Sequence, residues 1–214
     1  MRFALFGVAG VVLFVLTVVL GGMLTANFSH VRNAVSELTQ ARSPHNLLLG
    51  ALFVCSAALF GAFGLSLSAF GNGNGNRGFQ ACGKLVVLYA VQAALLASVF
   101  PQDPIGEPIT LNGFLHLFVV GTSALCIVAA MIVAGCSAPP EWGRFRDYSF
   151  ASVIVMLSSG ASTVLLISYD LHFLGLIERI TQGAYLQWFV VFSVKLDRSR
   201  PGHSSPAAFK TRKS

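Results

Sequence analysis

Charge is what this sequence has least of. Of its 214 residues only 10% are Asp, Glu, Lys or Arg, while 55% are hydrophobic. Soluble globular domains run nearer about 25% charged. A soluble fold cannot hide that much apolar surface, so lipid is the expected solvent for most of the chain. Polar stretches long enough for a second domain are missing too. The longest are residues 26–46, the Gly/Asn-rich stretch 71–78 and the tail from Lys195 onward. The four cysteines include no CxxC pair, which argues against a zinc knuckle. Cys82 and Cys136 fall at expected cytoplasmic helix ends, where thiols stay reduced, so no structural disulfide is expected. No HExxH motif is present, and the run Gly71–Asn76 lacks the Lys-Ser/Thr ending of a phosphate-binding loop. That run reads as a flexible linker.

What is present is a set of six apolar runs, Phe3–Leu24, Leu47–Phe70, Ala81–Phe100, Gly113–Gly135, Tyr148–Ser168 and Phe173–Val194. Each is about 20 residues, the length of helix that crosses about 30 Å of hydrocarbon. The first is about 22 residues, longer than the ~7–15 of a secretory signal's apolar core, so it reads as a retained helix. The sixth is the least pure, being interrupted by Glu178 and Arg179. The expected fold is all-α, a polytopic bundle of six transmembrane helices over residues 1–195. A basic tail, 196–214, is expected to be disordered.

The net charge of +6 suggests nucleic acid at first sight, but the basic residues lie in short loops and a tail with no aromatic residues interleaved. They fit an orientation signal better. With the N-terminus inside, Arg2, Arg77, Lys84, Arg144, Arg146, Lys195, Arg198, Arg200, Lys210, Arg212 and Lys213 are cytoplasmic, and only Arg32, Arg42 and Arg179 are outside. The positive-inside rule then places both termini in the cytoplasm and the protein in the cell (inner) membrane.

In that topology the chemically capable residues gather at the outer end. The first outer loop carries His30, Asn33, Ser36, Glu37 and His45. Asp103, Glu107, Asn112 and His116 surround the start of the fourth run, and Asp170, His172, Glu178 and Arg179 that of the sixth. Asn112 and His116 stand four apart, on one helix face, as do Glu178 and Gln182. An ionisable group at membrane depth is costly without a partner, which makes each one a candidate functional group.

The stretch Asn33-Ala34-Val35-Ser36-Glu37-Leu38 after the first run, Phe100-Pro101-Gln102-Asp103 after the third, His116 in the fourth and Glu178-Arg179 in the sixth carry a resemblance. In order and placement they resemble a family of small prokaryotic six-helix membrane proteins known only as a domain of unknown function. Its pattern is Ser-Glu-Leu, Phe-Pro-x-Asp, a following His and a late Glu-Arg. The resemblance covers about residues 5–195. It implies the fold and a candidate site, and no reaction.

Three chemistries fit these residue types. His116, Asp103 and Glu178 could ligate a metal, with Glu37 as a further ligand and zinc as the natural occupant for such N/O donors, although no paired-histidine motif favours zinc. Alternatively Ser36 is a nucleophile, His116 its base and Asp103 or Glu37 the orienting acid. The plainer reading is a polar clasp, in which Glu37, Asp103, His116 and Arg179 form ion pairs and hydrogen bonds that tie the outer helix ends, with Asn112, Asp170 and His172 in support. Ser36 also reads as a helix cap, with Leu38 docking into the core. The expected partners are membrane lipids. The functional expectation is a site acting on or binding a lipid or amphiphile at the outer face, and its alternative is a non-catalytic accessory subunit of a larger membrane complex.

Overall fold

The computed structural model describes residues 3–104, 106–167 and 173–199. It is all-α over these residues. The helices are α1 (Phe3–Leu24), α2 (Asn46–Gly73), α3 (Arg77–Ser98), α4 (Leu111–Ser137), α5 (Phe145–Ile167) and α6 (Leu174–Arg198), with 3₁₀ turns at Ser36–Thr39 and Pro140–Trp142. Each helix packs on its neighbours in sequence, and α6 closes the ring on α1. Four of the six, α1 to α4, are long and apolar enough to cross a membrane, among the described residues. Six spans were expected. α5 and α6, with 23 and 25 residues, have the length, about 35 Å at 1.5 Å per residue, but α6 carries Glu178, Arg179, Lys195, Asp197 and Arg198.

The helix starts follow local chemistry. Asn76 caps α3, its side chain accepting from the Phe79 N–H at 2.9 Å. Thr110 caps α4 by accepting from the Gly113 N–H at 3.2 Å. Such caps satisfy backbone donors that a helix leaves open. The expected flexible linker, Gly71–Asn76, is instead helical in its first half and a tight turn in its second. α2 continues through Gly73, and the turn closes with Asn76 N–H to Gly71 O at 2.9 Å and Asn74 Nδ2 to Phe70 O at 2.8 Å. Only Gly75 takes a positive φ, +68°, which glycine adopts without strain. Tertiary packing overrides the poor helix propensity of the glycines here. A Cβ at Gly64 would lie 2.8 Å from the Gly83 carbonyl oxygen, so α2 and α3 touch backbone to backbone.

The ring has two unlike ends. At the end that holds both described termini, the Phe3 N–H donates to Asp197 at 3.0 Å, and Lys195 Nζ to the Trp142 carbonyl at 2.9 Å. The interior there is filled with rings. Phe192 lies against Phe63, Phe79, Trp142, Phe145 and Trp188 at centroid distances of 4.9–6.0 Å, in edge and offset geometries that favour aromatic pairs. The opposite, distal end is closed by the 25–45 and 99–110 loops. There a smaller apolar cluster of Val18, Val35, Leu38, Leu49 and Phe53 seats the first loop.

Candidate functional site

Beneath the distal loops the ring is hollow. A cavity of about 340 Å³ is lined from all six helices and by the first loop. Its floor is Phe60, Tyr89, Ile127, Met156 and Tyr185, and Phe60 stacks on Phe189 at 4.6 Å, where the aromatic filling begins. Small side chains make the space: Ser56 and Ala57 on α2, Ala93 and Ala97 on α3, Ser123 and Ala124 on α4. The polar groups at its upper wall are Ser36, Gln102, His116, Glu178, Thr181 and Gln182.

Glu178 reaches across to the first loop. One carboxylate oxygen accepts from the Val35 N–H at 2.7 Å and the other from Gln182 Nε2 at 3.0 Å. His116 is 4% exposed, and its Nδ1 lies 2.8 Å from the Phe100 carbonyl oxygen. A carbonyl only accepts, so Nδ1 carries the proton and Nε2 is left as the ring's acceptor. The Ser36 hydroxyl makes no hydrogen bond to the described residues. It does not cap, because the 3₁₀ turn has no side-chain cap. Glu37 performs that task by reaching back to the Ala34 N–H at 2.6 Å, with its other oxygen on Asn33 Nδ2 at 2.9 Å. Leu38 docks fully buried, as expected.

The remaining candidates are engaged elsewhere. Asp103 accepts from the Thr110 N–H at 2.7 Å and its hydroxyl at 2.9 Å, bracing the cap of α4. A Cβ at Gly113 would collide with that carboxylate. Asp103 therefore does not orient His116, whose Nδ1 has a backbone partner. Asn112, one turn before His116 on the same face, is exposed at the start of α4, above the cavity. Arg179 donates to the Asn33 carbonyl and the Gly175 carbonyl, both at 2.8 Å, contacts His30 Nδ1 at 3.1 Å and lies over the Phe28 ring. The His30 ring, partly buried against Phe28 and beside the Arg179 charge, has its pKa lowered by both, burial first. Asp170 and His172 lie outside the described residues.

Thus the cavity brings together Ser36, His116 and Glu178, and not Glu37, Asp103, Asn112 or Arg179. The expected metal set of His116, Asp103 and Glu178 does not converge. Among the described residues no three His, Cys, Asp or Glu side chains are placed to hold a metal ion, because Asp103 is turned to Thr110. The expected clasp exists in a different form. Its bonds run from side chains to backbone, and at this end the only ion pair among the described residues is Arg42–Glu107, at 2.5 Å between two exposed loops. Residues 8–195 match the family DUF998, a protein of unknown function. The chain belongs to DUF998. The match takes in the whole stretch, 33–179, over which the Ser-Glu-Leu, Phe-Pro-x-Asp, His and Glu-Arg motifs lie. In this DUF998 member those motifs divide between two tasks, bracing the distal loops and lining the cavity. No curated protein and no solved structure matches the chain.

Sequence reasoning missed Gln102, Tyr89 and the alanines of the wall. Their signal is faint but present: Ala93 and Ala97 stand four apart on α3, and Ser123 and Ala124 follow His116 at helical spacing on α4.

Proposed function

We propose that this protein binds a lipid or other amphiphile from the outer leaflet, the apolar part in the cavity and the polar head at its upper wall. The observation that carries the reading is the cavity itself, lined mostly by apolar and small side chains, with its carboxylate, imidazole and amide groups (Glu178, His116, Gln102 and Gln182) at the upper wall. That is the usual build of a small-molecule site, and its volume lies at the low end of the ~300–1,000 Å³ range. In this reading all six helices span the inner membrane with both termini cytoplasmic. It is supported by Arg77, Lys84, Arg144, Arg146, Lys195 and Arg198 sitting at the termini end. Binding is favoured over catalysis. Among the described residues no hydrogen bond links Ser36 to His116, and Asp103, an acid expected to orient His116, serves the α4 cap.

The test is native mass spectrometry of the full chain, gently extracted from its own membranes. The expected result is a protein carrying a retained amphiphile that is lost in Ala93→Phe, which fills the cavity. Stoichiometric association with other membrane proteins, and no small ligand, would overturn the reading and make the protein an accessory subunit.

A further inference from the structure

We infer that the amphiphile is a single-chain molecule whose head donates hydrogen bonds, a hydroxyl or an amine, and not a phosphate or carboxylate. The inference rests on the amphiphile reading above and narrows it.

The Glu178 carboxylate already receives one donor on each oxygen, from Val35 and Gln182. Each oxygen keeps a further lone pair. His116 presents Nε2 as an acceptor, because Nδ1–H is held by Phe100 O. Gln182 gives one amide N–H to Glu178 and keeps its second N–H and its carbonyl oxygen for a ligand. Ser36 serves as donor or acceptor. The Glu178 carboxylate and His116 Nε2 thus only accept, while Ser36, Gln102 and Gln182 can donate or accept. The wall holds no lysine or arginine. Arg179, the adjacent residue on α6, points its guanidinium at Asn33, Gly175 and His30 of the loop side.

A phosphate or carboxylate head would enter beside the Glu178 carboxylate with no lysine or arginine in the cavity wall to pair with it, in surroundings where an unpaired charge is costly. A hydroxyl or ammonium head donates to the Glu178 carboxylate and His116 Nε2, which only accept, and an ammonium also pairs with Glu178. The cavity volume, about 340 Å³, suits one chain better than two.

The full chain in lipid nanodiscs is titrated with four probes of equal chain length, monomyristoylglycerol, tetradecylamine, myristate and tetradecyl phosphate, and bound copies are counted by native mass spectrometry. The first two are expected to bind about tenfold or more tighter than the last two, the scale of one hydrogen bond to a charged group. Glu178→Gln retains an acceptor for Val35 and removes the charge. It is expected to weaken the amine by about tenfold and the monoacylglycerol far less. Anionic probes binding as tightly as the others would overturn this inference and leave the amphiphile reading standing. If no probe binds, or all bind equally to wild type and to Ala93→Phe, the amphiphile reading falls and this inference with it.

Discussion

Asp103 shows how a residue that looks catalytic can be structural. A carboxylate thirteen positions before a histidine, at a helix start, suits an orienting acid, yet its oxygens hold Thr110, whose hydroxyl in turn holds the Gly113 N–H. Gly113 has no side chain because the carboxylate occupies that space. Thr110→Ala is expected to lower stability by about 1 kcal/mol, the usual worth of a cap. Asp103→Asn and Gly113→Ala disturb the same contact, so their double variant should lose clearly less than the two single losses combined. Thermal or denaturant unfolding of the four proteins checks this, and full additivity would contradict the shared-contact account. His116 is the contrasting case. It was legible as a candidate because a histidine on an apolar helix is rare, and its buried, backbone-fixed ring gives it a defined acceptor in the cavity.

At the scale of elements, the first loop is a strap laid along the opening turns of α6. Gly175 and Leu176 donate their N–H groups to the carbonyls of Arg32 and Val31 at 3.2 and 2.9 Å. Glu178 accepts from Val35, and Arg179 donates to Asn33. The strap thus satisfies helix-end donors that would otherwise be open. Hydrogen exchange across residues 31–38 is expected to quicken in Arg179→Ala and in Glu178→Ala, while amides of α2 and α3 near Phe63 and Phe79 keep their protection. Equal loss at both ends would mean that the strap is not a separate unit.

Much of this level was readable in advance. The bounds of α1 fall where its apolar run does. What was not readable depends on contacts between distant segments. α2 runs on through Gly73 where Gly71 lies against the start of α3, and a Cβ there would collide with the Gln80 nitrogen. Ser159 on α5 accepts from the Thr181 hydroxyl on α6 at 2.7 Å, a contact between segments 22 residues apart. Glu178 and Arg179 diverge around α6 as their 100° separation requires, but which of them faced the interior was not fixed by sequence. The loop decided it by presenting the Val35 N–H to one and the Asn33 carbonyl to the other.

The whole molecule is a ring of helices packed solid at one end and hollow at the other. A cavity is an absence of volume, so no motif announces it; only the inward alanines and serines hint at it. The two halves should respond oppositely to side-chain size. Phe192→Ala removes a fully buried ring and is expected to cost about 3 kcal/mol or more. Ala93→Phe, which adds a ring to empty space, should cost little or stabilise, where overpacking a filled core costs about 1–3 kcal/mol. Unfolding of both variants in the same lipid or detergent reads the contrast, and a comparable loss in each would mean that the distal half is not hollow.

The most direct test of the central claim is a photolabelling map. A long-chain alcohol bearing a diazirine at its chain end is bound to the full chain in nanodiscs and irradiated, and the modified residues are read by peptide mass spectrometry. The account predicts labels on the cavity floor, at Phe60, Tyr89, Ile127 and Tyr185, reduced in Ala93→Phe. Labels confined to outward-facing residues such as Leu5, Leu125 and Ile154 would contradict it, placing the chain in bulk lipid rather than inside the ring.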